Sequence, residues 1–194
     1  MTSQPEATRE AWLQRAIGLF RPWFTQLGAE LPASILVSVG FPSTGARSNR
    51  IGECWTLANP ASAPHVFIHP RLGEGDLVLA VLLHELVHAS GQNGHGAGFK
   101  RLAVAVGLTG KMTATVAGEA LTATLTAMLD VLGPYPHRSL PVDPSRKKQT
   151  TRNLKLVVRD CCGYQVRTTR KWLDEQGLPL CPHGQEMELE DTSG

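Results

Sequence analysis

Residues 82–95 read Leu82-Leu83-His84-Glu85-Leu86-Val87-His88-Ala89-Ser90-Gly91-Gln92-Asn93-Gly94-His95. This is the pattern HExxH followed at short range by a third histidine. On a helix, residues four apart project from one face, so His84 and His88 can bind the same metal ion. Glu85 follows the first histidine and can reach a water bound to that metal, as a general base does in zinc-dependent peptide hydrolysis. The preceding run, Leu77 to Leu83, is continuously apolar and suits a buried helix. Gly91 and Gly94 end it and let the chain turn back to present His95. A catalytic zinc needs three protein ligands and one open position, and His84, His88 and His95 supply three. The bland alternative, polar residues on a solvated helix face, explains neither the apolar lead-in nor the third histidine.

The rest of the first half is expected to support this helix. Ala7 to Leu27 places Trp12, Ile17, Phe20, Trp23 and Phe24 at helical spacing, with Pro22 as a point of kinking or division. Ile35 to Val39, Ile51 to Leu57 and His65 to His69 read as strands. His65 and His69 are expected to point outward from the third strand, and Cys54 to act as a small apolar residue. Further helices are expected over Gly98–Val106 and Val116–Leu132. Helix, three strands, then helices is an α+β order, with the motif helix packed on a small sheet.

Proline recurs at 134, 136, 141 and 144, as in a linker. The expected division is 1–132, a linker at 133–149 and a small second domain at 150–194. Residues 150–190 are too few for an independent apolar core and need a staple. The candidates are Cys161, Cys162, Cys181 and His183, between expected strands Leu154–Val158 and Tyr164–Thr169. Two ligand pairs about twenty residues apart resemble a zinc ribbon, but Cys161 and Cys162 are neighbours where C-x-x-C is usual. Three readings stand open: all four residues hold a structural zinc, Cys162 alone of the first pair binds, or the ribbon persists by packing without metal.

The chain has 194 residues and a net charge of +2, and its basic residues are unevenly placed. Residues 1–144 balance, whereas 146–171 carry nine Lys or Arg against Asp160 alone. Lys147, Lys148, Arg152, Lys155, Arg167, Arg170 and Lys171 are the candidate nucleic-acid contacts, with Tyr164 or Trp172 stacking on bases. A solvated surface is an equally common reason for such a block. No apolar run is long enough to span a bilayer. The polar start and the unpatterned cysteines lead to the expectation of a cytoplasmic protein with reduced thiols and no membrane partner.

These motifs together resemble the SprT-like zinc metallopeptidase family, over about residues 35–190. The resemblance lies in His84-Glu85-x-x-His88, in His95-Gly96-x-x-Phe99, and in the ribbon after a basic linker. It extends to Gly110 to Thr115, Lys147 to Arg152, Cys162 to Tyr164 and Arg167 to Trp172. The family implies a minimal zincin-like protease domain, with His84, His88 and His95 as ligands and Glu85 as acid/base. It also implies a protein substrate, and by analogy with the Spartan proteases a DNA-associated one. Two departures stand out: the first ribbon cysteine would fall near Val158 or Arg159, and His183 takes a place usually held by Cys. The competing readings are a DNA-binding ribbon protein with a gated or vestigial protease, and a structural metal protein without turnover. Glu85 argues against the last, since a purely structural site has no use for a base.

Overall fold

The structure is a computed structural model, and it describes residues 8–46, 48–56, 63–141 and 153–190. It is mixed α+β, and the chain divides into two compact units, Met1–Pro144 and Ser145–Gly194.

The first unit is built around the motif helix. α1 (Arg9–Gln26) starts at Thr8, whose hydroxyl accepts the N–H of Ala11 at 3.1 Å, and it runs unbroken through Pro22. Its aromatic stripe is core: Trp12, Phe20 and Phe24 are fully buried. Strands β1 (Leu36–Val39), β2 (Gly52–Trp55) and β3 (His65–Ile68) form a sheet in the order β1-β3-β2. β3 pairs parallel with β1 and antiparallel with β2, so β2 is an edge strand. Side chains alternate across a strand. Val66 and Ile68 face the core, whereas His65 and Phe67 stack on the opposite face at 4.3 Å between ring centroids.

α2 (Gly75–Ala89) carries the motif and is apolar nearly all round, with Val78 to Leu83, Leu86 and Val87 buried. A helix that buries every face belongs at the centre of a fold, and α2 packs on β2, β3, α3 (Ala97–Ala105) and α4 (Glu119–Leu132). The helix expected from Val116 begins three residues later. Val116 lies instead in a hairpin, β4 (Leu108–Lys111) and β5 (Ala114–Ala117), that sequence periodicity missed.

His69 departs from expectation. It is 1% exposed, accepting the Arg71 N–H at Nδ1 (3.0 Å) and donating from Nε2 to the Ala46 carbonyl (3.2 Å). The chain leaves the strand pattern at Ile68, so the same-face argument from His65 does not reach it. The domain boundary also falls later than 132. Tyr135 is buried in the core, the Leu140 N–H donates to the Pro70 carbonyl, and buried Arg9 donates to the carbonyls of Pro70, Pro136, His137 and Arg138. The prolines at 134 and 136 therefore shape a strap over the first unit.

The second unit is a three-stranded antiparallel sheet, order β7-β6-β8, from β6 (Asn153–Val157), β7 (Gln165–Thr169) and β8 (Glu188–Leu189), with a short helix α5 (Arg170–Gln176) after β7. Its buried apolar residues are Leu156, Val157, Val158, Cys181 and Met187. Among the described residues that is a small core, of the kind that commonly needs a staple.

Candidate metal centre

His84 and His88 lie one turn apart on α2, and the chain then reverses. Gly91 (φ 96°) and Gly94 (φ 71°) take left-handed backbone that side chains disfavour, and the turn they make returns His95 to the same face. The Nε2 of His95 lies 3.2 Å from that of His84 and 3.3 Å from that of His88. Three ligands on a tetrahedral zinc at about 2.0–2.1 Å place neighbouring nitrogens about 3.3–3.4 Å apart. The two separations to His95 match that spacing, and all three ligand atoms lie within 4.8 Å of one another, so the set could hold a metal ion.

The opposite ring nitrogens are engaged. Nδ1 of His88 donates to the Gln92 carbonyl at 2.7 Å, which leaves its Nε2 bare in the neutral ring. Nδ1 of His84 lies 2.8 Å from the hydroxyl of Thr115 on β5. Such contacts fix tautomer and ring orientation at metal sites. Phe99 of α3 packs against all three rings, at 4.5–4.9 Å between centroids. Burial lowers the proton affinity of all three histidines, His84 to about 4, where the charges of His88 and His95 act in the same direction. Unprotonated imidazole is the ligating form.

Glu85 is 5% exposed and lies between α2 and β2. Burial pushes its carboxyl up to about 8, with the charge of Glu53 adding and that of Arg50 opposing. Cys54 faces the same layer. Burial, then the charge of Glu85, raises its thiol to about 12, so it remains protonated. The end of β2 is tied to the ligand loop through the Thr56 hydroxyl and the side chain of Asn93, 3.1 Å apart. Sequence reading singled out His84, His88, His95 and Glu85, and the structure brings the three histidines together. It gave no role to Thr115, although the stretch Gly110 to Thr115 is part of the resemblance, or to Gly52; the two are placed by β5 and β2 pairing.

The second unit brings Cys161, Cys162, Cys181 and His183 together. One ligand atom from each lies within 4.8 Å of the others, and the Sγ atoms of Cys161 and Cys181 are 4.0 Å apart. These four residues could hold one metal ion, as the first of the three readings requires. Two turns make it. One is closed by the Val158 N–H donating to the Tyr164 carbonyl, with Gly163 at φ 65°. The other is closed by the Cys181 N–H on the Gln185 carbonyl at 2.7 Å and the Gly184 N–H on the Cys181 carbonyl at 2.8 Å. Burial disfavours the Cys181 thiolate. The backbone N–H groups of Gln185 and His183 and the thiols of Cys162 and Cys161 outweigh it and hold the thiol below the ordinary cysteine value.

The candidate nucleic-acid residues separate. Lys147, Lys148 and Arg152 lie outside the described residues. Lys155 is paired with Glu190 at 2.8 Å, and Arg159 lies 3.7 Å from Glu188, so the acidic end folds back on part of the basic block. Arg167, Arg170 and Lys171 are exposed, as are Tyr164 and Trp172, with the Lys171 ammonium 5.8 Å from the Trp172 ring and 3.8 Å from Glu175. No helix among the described residues is long and apolar enough to cross a membrane. No family model, curated protein or solved structure matches this chain.

Proposed function

We propose that the first unit is a zincin-like, zinc-dependent endopeptidase and that the second is a ribbon held by a structural zinc. The observation that carries this reading is the convergence of three imidazoles, with the Nε2 of His95 at 3.2 and 3.3 Å from those of His84 and His88, and with a buried carboxyl next in sequence to the first of them. The resemblance to SprT-like peptidases rests on the same residues and supports it.

His84, His88 and His95 would hold the ion. Zinc there would supply Lewis acidity, polarising a carbonyl and making water acidic near neutral pH. Glu85, with its carboxyl held up at about 8, would act in its ionised form, taking the proton of the attacking water and returning it to the leaving amine nitrogen. Thr115 and Gln92 hold two of the ligand rings at their Nδ1 atoms. β2 supplies a platform for the substrate. The Ile51 carbonyl accepts from His69 N–H at 2.9 Å, so by antiparallel alternation Glu53 and Trp55 also bond toward β3. The N–H and C=O groups of Gly52 and Cys54 then face the open edge, where an extended peptide can pair as an added strand. Glu85→Gln should abolish cleavage of an unfolded polypeptide while zinc content and fold persist. Cleavage at the wild-type rate would refute the assignment.

Exposed Tyr164 and Trp172 beside Arg167 and Arg170 favour a second role, in which the ribbon binds single-stranded DNA and brings the peptidase to DNA-associated proteins. Binding of a labelled oligonucleotide should weaken steeply with added salt and with Trp172→Ala; a flat salt response would argue against phosphate contact.

A further inference from the structure

Gly52 has no conformational reason to be glycine. It lies within β2, and its φ is not among the positive values that ten other glycines adopt. Its reason is space. A Cβ there would sit 2.7 Å from Cγ1 of Val81 and 3.0 Å from the carboxyl carbon of Glu85, with Oε1 of Glu85 nearer still. Real carbon atoms do not approach so closely, so any side chain at 52 must displace something on α2. The groups in its way are one methyl and the carboxylate itself.

We propose that Gly52 is the positioning residue for Glu85. Lacking a side chain, it lets the carboxylate lie against the β2 backbone, buried yet on the helix that bears His84 and His88. The same residue presents its own N–H and C=O to the open edge of the sheet. A peptide paired along that edge would therefore be registered to the strand that abuts the base. One glycine fixes the distance between substrate backbone and general base. This rests on the peptidase reading of Glu85.

The test is Gly52→Ala in the full chain, read three ways. Zinc per chain should stay at the wild-type value. The kcat for peptide hydrolysis should fall about 100-fold, the scale expected when a catalytic group is misplaced by about 1 Å, with KM within about threefold. A crystal structure of the metal-free variant should show the Glu85 carboxylate moved off β2. A kcat within about threefold of wild type, or an unmoved Glu85 with Val81 alone giving way, would overturn the proposal. If Gly52→Ala fails to fold, Gly52→Ala/Val81→Ala, which removes the other obstructing group, is read in its place: the same fall in kcat and the same displaced carboxylate are expected, and an unmoved Glu85, a kcat within about threefold of wild type, or failure of this variant to fold as well would overturn the proposal. Should the wild-type protein hydrolyse nothing, the peptidase reading fails by itself, and the position of Glu85 in the variant still decides the role of Gly52.

Discussion

Thr115→Val tests how the metal centre is held. The hydroxyl of Thr115 lies 2.8 Å from Nδ1 of His84, and Nε2 of that ring faces the other two histidines. With Nε2 bare for a metal, Nδ1 carries the proton and Thr115 accepts it. Valine keeps the shape of threonine and removes only the acceptor. The ring then loses the partner that selects its tautomer, and half-buried Nδ1–H is left to solvent. Loss of such an outer contact typically weakens metal binding about 10–100-fold, or about 1.4–2.7 kcal/mol. Zinc affinity of the first site, measured by competition against chelators of graded strength, should fall by that amount. Thr115→Ser, which keeps the hydroxyl, should lie near wild type. The Cys161, Cys162, Cys181 and His183 set is an internal control and should not change. An affinity within about threefold of wild type in Thr115→Val would show that α2 and the glycine turn alone set the ligands.

Three other outcomes follow from the same geometry. Arg9 donates to four carbonyls, at 2.6–3.3 Å, and its guanidinium lies 4.9 Å from the Tyr135 ring, so Arg9→Ala should cost about 3 kcal/mol and roughly 6–12 °C of melting temperature. Thermal melts of the two proteins check this, and a loss under about 1 kcal/mol would mean that the 133–140 strap holds without it. Burial and the charge of Arg71 lower the proton affinity of His69 below its ordinary value, while the bond to the Ala46 carbonyl opposes them. The folded state thus binds that proton less readily than the unfolded chain, so the stabilisation is whole above about pH 6.5 and is lost as pH falls through the depressed value. The advantage of wild type over His69→Gln in urea unfolding should therefore shrink between pH 7.5 and pH 5, and an advantage that grows on acidification contradicts the assignment. Finally, Cys181→Ser should lower zinc from about two per chain to about one, and amide NMR signals of 153–190 should collapse while those of the first unit persist. A folded second unit without metal would favour the packing-only ribbon.

What the sequence made legible follows from how locally each feature is encoded. His84, Glu85, His88 and the Gly91–Gly94 turn lie within fourteen residues, where helical period and positive-φ glycines suffice to bring the ligands together. The first and third strands of the first sheet were readable from β-branched and aromatic runs, and the second, Gly52–Trp55, fell inside the expected Ile51 to Leu57. The β4–β5 hairpin was not, because Thr109-Gly110-Lys111 and Ala114-Thr115-Val116 are short and only weakly alternating, and their identity comes from pairing with each other. The strap at 133–140 looked like a linker because its prolines are local, whereas the Arg9 side chain that secures it comes from over 120 residues away. The roles of Gly52 and Thr115 were hidden for the same reason: each acts through contacts made across the fold, Thr115 although its stretch is part of the resemblance.

The two ligand sets also argue for different tasks by their count and chemistry. The second unit offers four donors, three of them thiols, which fills a tetrahedral zinc and leaves no position for a reactant. Among the described residues that unit buries five apolar side chains, a small core, so a metal held there would have a structural reason. The first unit needs no such help. Its core runs from Trp12 through Phe99 to Tyr135, and it would stand with the histidines empty. A three-imidazole site in an already stable fold, flanked by a carboxylate that β2 leaves room for only by having glycine at 52, is costly to maintain as a staple and useful as an open coordination site. Chelation should therefore separate the two proposed roles: the second unit should lose its fold, and the first should keep its fold and lose peptide hydrolysis.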